Sequence, residues 1–322
     1  MQRNYKHEMK KALFILLVLC TTVGMKAQES RTAYNFLRLP VSAHAAALGG
    51  ENITIIEDDP SLMFSNPALL QSVSSGTISL NYMNYMQGAN TASASYNWIV
   101  KEKATVAVSA QYMDYGKMKE VTADNVQTGE FSAKDIAIGA YLSYDLAKNL
   151  AGGITAKFIT SYIGDYNSIA MGVDLGLNYY NPENEWSVSA VAKNLGGQLK
   201  AYDDDFERMP FDLRLGVTKR LQGAPFRLSA TLTDLTHWNY KFANHISAGI
   251  EVLFSQTMWV GAGYNFRRAD EMGIPSNDTE SAHGAGLSFG AGIQLERFKL
   301  NVAYGKYHVS SASILVNAAY TL

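Results

Sequence analysis

The chain has 322 residues, a formal net charge of −2 and a pI near 6.3, so it carries no basic field of the kind that draws nucleic acid. Charged residues are 17% and apolar ones 47%, yet the mean hydropathy is −0.09. A sheet with one lipid-facing and one polar face averages to that value, and so does a soluble enzyme, so composition leaves both open.

The N-terminus is the first specific signal. Arg3, Lys6, Lys10 and Lys11 precede an apolar stretch from Ala12 to Val23, and Gly24-Met25-Lys26-Ala27 follows. A basic start, an apolar middle and a small-residue exit predict a secretory signal peptide over 1–27, cleaved near Ala27. Met9-Lys10-Lys11 supplies an alternative start. The apolar middle is too short to cross a bilayer as a helix. Cys20, the only cysteine, lies in this segment behind Leu19, which does not suit lipid attachment, so the mature chain is expected to hold no disulfide.

Residues 28–75 read as a short helical plug. Ser42 to Leu48 favours helix and Gly49-Gly50 stops it. Asp58-Asp59-Pro60-Ser61 opens a second short helical segment, with Asp59 or Ser61 as its cap. The segment closes on Asn66-Pro67-Ala68.

From residue 76 to 322 the pattern has period two. Phe211, Leu213, Leu215 and Val217 alternate with Asp212, Arg214, Gly216 and Thr218; Phe298, Leu300, Val302 and Tyr304 alternate with Lys299, Asn301, Ala303 and Gly305. Successive side chains of a strand point to opposite faces, so each segment has one apolar face. Strands are expected near 76–86, 90–100, 103–115, 132–147, 150–163, 167–180, 185–194, 208–220, 225–236, 244–256, 258–268, 283–295, 297–307 and 310–322. Connections after the even-numbered strands are brief, whereas 116–131, 195–207 and 269–282, after odd-numbered ones, read as long loops. Short turns at one end and long loops at the other predict an all-β transmembrane antiparallel barrel of about fourteen strands. Tyr82, Tyr85, Tyr112, Tyr115, Tyr179, Tyr180, Trp186, Trp238 and Tyr240 fall at strand ends, where interfacial aromatic girdles belong.

Charges inside the strands fix the polar face. Asp174, Asp212, Arg214, Arg227 and Lys299 alternate with apolar residues and are expected to line the lumen, since a Lys or Arg at mid-depth on the lipid face costs about 2–4 kcal/mol. Catalytic chemistry finds little support. His308 and Ser311 would face opposite sides if one regular strand held both. His237, His245, His283 and His308 all lie near loop-side strand ends without ligand spacing, and Asp203-Asp204-Asp205 is at most a weak cation candidate in a loop. No cofactor is expected.

The stretches YNFLRLPVSAHAAALGG and EDDPSLMFSNPALL, with the later YMDYG and GEFSAKD, resemble the PorV/PorQ family of Bacteroidetes, and within it the PorQ-like members. That family is similar to FadL-type barrels, which share a plug ending in Asn-Pro-Ala before the first of fourteen strands. The resemblance implies a FadL-like barrel in the outer membrane of a Gram-negative bacterium. It implies a component of the type IX secretion system, a scaffold or anchor for a cell-surface attachment complex. Its plug motif carries over as structure: Gly49, Gly50, Asp58, Asp59, Asn66, Pro67 and Ala68. The expected partners are outer-membrane lipid and a secretion-system or surface-attachment protein at the extracellular loops, where Met118, Trp238, Tyr240, Phe242 and Met272 are candidate contacts. Two other readings stand beside this one. A FadL-like transporter of hydrophobic small molecules predicts an apolar pocket beneath the loops and a strand kink; a soluble secreted all-β protein shares the alternation alone.

Overall fold

A computed structural model describes residues 32–322 apart from Gln87, Asn125, Tyr240, Gln256, Gly273, Asn277, Asp278, Ala282, His283, Val309 and Ser310. The expected signal peptide, Tyr240 and His283 therefore lie outside the described residues. Strands β1 (Thr77–Met86), β2 (Ala89–Lys101), β3 (Ala104–Val121), β4 (Gln127–Ala147), β5 (Leu150–Ile163), β6 (Tyr166–Asn181), β7 (Trp186–Lys200), β8 (Asp212–Arg220), β9 (Phe226–Leu232), β10 (Ile246–Leu253) and β11 (Met258–Asn265) follow one another. A minor hairpin, β12 (Ile274–Ser276) and β13 (Thr279–Ser281), precedes β14 (Leu287–Gln294), β15 (Phe298–His308) and β16 (Ser311–Thr321). Fourteen of these close into one antiparallel barrel, β12 and β13 standing apart. Closure is made by β1 against β16, in register from Thr77↔Thr321 to Asn84↔Ile314. A closed barrel leaves no unpaired sheet edge, the condition for crossing a bilayer with strands.

Period two decides which face each residue takes. Along β1 the residues Thr77, Ser79, Asn81 and Met83 are buried, while Ile78, Leu80 and Tyr82 are exposed. The same division runs around the wall: Val108, Ile138, Leu142, Phe158, Leu177, Leu228 and Phe289 face outward, and Ser, Thr and Asn fill the inner face. No helix among the described residues is long and apolar enough to cross a membrane. The barrel crosses with its strands.

Two details depart from the sequence reading. Residues 116–131, expected as a loop, mostly continue the β3–β4 hairpin. Its ladder resumes at Lys117↔Ser132 after a shift beyond Asp114↔Lys134, so β3 runs on to Val121 and β4 begins at Gln127. Likewise β7 runs on to Lys200, with its ladder on β6 shifting near Asp174 and Ile169. Bulges of this kind insert unpaired residues and break the alternation on which the boundaries were drawn. The aromatic set also divides. Tyr82, Tyr112, Tyr179 and Trp186 face outward, but Tyr85 and Tyr115 pack inward against a buried cluster. They stand an odd number of residues from their outward partners, which sends them to the other face. Tyr180, next to Tyr179, lines the lumen mouth for the same reason.

The long connections, 201–211, 233–245 and 266–286, all leave one end of the barrel, here the loop side; at the turn side 102–103 and 148–149 suffice. Residues 32–76 thread the lumen from the loop side, where the Ala33 amide donates to the Arg208 carbonyl at 3.0 Å, to the turn side, where β1 begins. Along the way the chain forms a 3₁₀ turn (Asn35–Arg38), a helix (Ala43–Ala47) and two further 3₁₀ turns (Pro60–Phe64 and Pro67–Ser72).

Candidate functional site

Short-range capping shapes the threading segment. Ser42 caps the helix, its hydroxyl accepting from the Ala45 amide at 3.3 Å. Gly49 and Gly50 then take φ of 97° and 91°, the left-handed backbone that other residues avoid. Asp59 caps the second turn by accepting from the Ser61 amide at 2.8 Å, and Asn66 caps the third by accepting from the Ala68 amide at 3.0 Å. In both, proline occupies the first turn, where its missing N–H is no loss.

Two glycine patches in the wall receive this segment. Gly153 and Gly176 are cross-strand partners on β5 and β6. A Cβ on Gly153 would collide with the Pro67 and Ala68 backbone, and one on Gly176 with the Asn66 side chain. The Asn66 amide reaches further, donating to the Ile53 carbonyl at 3.0 Å and the Ser189 hydroxyl at 3.2 Å. Across the lumen, Gly249 pairs with Gly263 on β10 and β11. These two and Gly290 leave the room that Ala47, Leu48 and Gly49 fill. Ser288 fastens that seat, donating to the Ala47 carbonyl and accepting from the Gly49 amide, both at 3.0 Å.

Between the seats lies a belt of charge. The wall places Asp174, Asp212, Arg214, Arg227 and Lys299 in the lumen, all buried, together with Lys157, Lys193 and Glu251. Arg214 is held by Asp212 and by Glu51 of the plug, each at 2.5 Å. Arg227 binds Glu251 through Nε at 2.7 Å and Glu57 of the plug through Nη1 at 2.7 Å. Glu251 also meets His44 of the plug at 2.5 Å, and the His44 ring stacks on Trp259 with centroids 3.7 Å apart. Lys299 pairs with Asp58 at 2.6 Å, and Lys157 with Asp174 at 2.7 Å. Lys193 donates to the Phe64 carbonyl at 2.9 Å. Wall cations thus find much of their counter-charge on the plug, which is what makes burial of both tolerable. Burial tends to raise the Asp58 carboxyl, but the Lys299 ammonium and the Ser74 hydroxyl and amide outweigh it and hold the group below the usual carboxylate range. Asp59, fully enclosed, is pushed up by burial despite its bonds to Ser61.

Toward the loop side the filling changes character. Ala33, Tyr34, Phe36 and Leu37 pack with Met113, Ile159, Ala170 and Met209 in an apolar cluster. Burial pushes the Tyr34 hydroxyl up from its ordinary value. A small cavity of about 30 Å³ remains beside Lys157, Lys193 and Arg214, and one of about 220 Å³ opens at the turn side beside Glu57, Arg220 and Arg227.

Sequence reasoning missed Lys157, Lys193, Glu251, His44 and the receiving glycines. The first three share the alternating face of the charges it named, so asking for counter-charges along that face would have found them. Asp203, Asp204 and Asp205 are exposed in the 201–211 connection, and among the described residues no three His, Cys, Asp or Glu come together as a metal would need. His308 and Ser311 belong to two strands and are register partners, not neighbours on one strand; the Ser311 hydroxyl is directed to the Tyr85 carbonyl at 3.4 Å. His237 pairs with Asp234 at 2.5 Å, and His245 meets the Thr233 carbonyl and the Trp238 ring. Of the rim candidates, Trp238 and Phe242 are 59% and 62% exposed, while Met118 and Met272 are half-buried.

No family model and no curated protein matches this chain. Among solved structures it is similar to the Pseudomonas putida toluene transporter TodX, with a TM-score of 0.55 and 14% identity over 87% of this chain and 97% of that one. It is similar also to the CymD monoaromatic hydrocarbon channel (0.53, 15% identity, 89% and 98% covered) and to a Pseudomonas aeruginosa FadL homologue (0.51, 12% identity, 87% and 98% covered). At such identity the likeness is one of fold: a fourteen-stranded FadL-like barrel.

Proposed function

We propose that this chain is an outer-membrane barrel acting as a scaffold, with its lumen filled by its own plug and its working surface at the loop-side rim. The observation carrying this reading is the apolar cluster around Phe36 and Leu37, which occupies the loop-side lumen where a transporter would keep a ligand pocket. With that space taken, exposed aromatics such as Trp238 and Phe242 are the surface available for recognition. The resemblance of the plug motifs to the PorV/PorQ family names the role: a component of the type IX secretion system that anchors a surface-attachment protein. A pull-down from detergent-solubilised outer membranes tests it. Stoichiometric recovery of a large surface protein, lost when 201–211 or 233–245 is shortened, is the expected result.

Passage of hydrophobic small molecules is the second reading, and the comparisons support it more directly than the first. TodX is a toluene transporter and CymD a monoaromatic hydrocarbon channel, and this chain shares their fold. Recovery of a folded barrel with no protein partner but a bound hydrophobic molecule would favour it.

A further inference from the structure

The glycines that seat the plug explain small residues on the inner face only. Directly outside the Asn66-Pro67-Ala68 seat the outer face is hollow as well. Gly152, Ala190 and Ala192 form the floor of an apolar groove of about 550 Å³. Leu142, Leu146, Ile154, Leu175 and Leu177, all more than 40% exposed, wall it. None of the floor residues touches the plug through a side chain, since each lies on the outward parity of its strand. The wall of the groove reaches Leu146 near the end of β4, and Lys148 stands exposed in the turn that follows.

We infer that this groove is a binding site for one acyl chain of a glycerophospholipid, with the phosphate held near Lys148. The surface is continuous with the lipid-facing belt, so hydrocarbon is its surrounding solvent. A chain seated between leucines gains contacts on several sides that a chain against a flat wall lacks. The Lys148 ammonium, in the turn beyond Leu146, complements a phosphate at the depth where headgroups lie. Phospholipid is the chosen source because tight turns mark the periplasmic end of such barrels, and the periplasmic leaflet of an outer membrane is phospholipid.

The inference rests on the barrel spanning a bilayer, and its test separates the two. The full chain is placed in nanodiscs containing phosphatidylethanolamine with a diazirine in one acyl chain, irradiated, and its labelled peptides are mapped. Labelling is expected to concentrate on 142–146 and 175–177. It should fall there by about tenfold in Gly152→Leu/Ala192→Leu, the effect of losing roughly two buried methylenes. Ala262→Leu, outward on β11, should leave the groove signal unchanged, and Lys148→Glu should reduce it. Even labelling around the barrel, or a groove signal indifferent to the double variant, overturns the site. So does preferential labelling by a diazirine lipid A offered in parallel. Failure of the chain to enter nanodiscs would instead defeat the membrane-barrel reading.

Discussion

The two halves of the lumen are filled by different physics. At the loop side Tyr34, Phe36 and Leu37 pack on Met113, Ile159 and Met209, and the contacts are apolar. From mid-lumen to the turn side Glu51, Glu57, Asp58 and His44 meet Arg214, Arg227, Lys299 and Glu251 in buried ion pairs. Apolar packing tolerates rearrangement, because any well-shaped hydrophobic group recovers most of the energy. A buried charge tolerates none, because an unpaired partner is left in a medium that cannot solvate it. The charged half therefore fixes where the plug sits, and the apolar half seals the end it reaches.

The largest effect is expected at Arg227. Arg227→Ala takes the guanidinium from Glu57 and leaves Glu251 with His44 alone, and should cost about 3–5 kcal/mol, read as an earlier unfolding midpoint in detergent. Replacing Arg227, Glu251 and Glu57 together by methionine and leucine should recover most of that loss, which would show that pairing, not charge, holds the plug. Phe36→Ala comes next, at about 3 kcal/mol, and unlike Arg227→Ala it should be rescued by leucine. Gly153→Ala and Gly263→Ala, which push a methyl into plug backbone, should each cost about 1–3 kcal/mol, whereas Gly197→Ala, with open space around it, should be silent. The smallest effect is a pH dependence. Asp58 is depressed when folded, so its contribution is full above an unfolded value of about 4 and is lost as pH falls through the folded one. Asp59 is raised, so its protonation favours the packed state and works against that loss. Asp58→Asn should thus be weaker at neutral pH and flatter in acid, measured by thermal unfolding across pH 3–7.

The barrel was largely legible because period two is a local signal: every expected barrel strand overlaps a strand of the closed sheet. The caps of the plug are equally local, Ser42, Asp59 and Asn66 each acting within three residues, although only the Asp59-Ser61 pair was read as a cap from the sequence. What could not be read locally is what depends on two distant segments meeting. Nothing around Gly153 announces that Pro67 will lie against it, and His44 gives no sign of Trp259 or Glu251. Alternation also fails at bulges, which is why the β3–β4 hairpin outran its expected ends, whereas Tyr85 and Tyr115 turn inward by the alternation itself, standing three residues from Tyr82 and Tyr112.

Single-channel recording in planar bilayers tests most directly the claim that the plug fills the lumen. The account predicts a silent wild-type barrel and ion-conducting events in Arg227→Ala or Gly153→Val. A steady conductance in the unaltered protein, unchanged by either substitution, would contradict it.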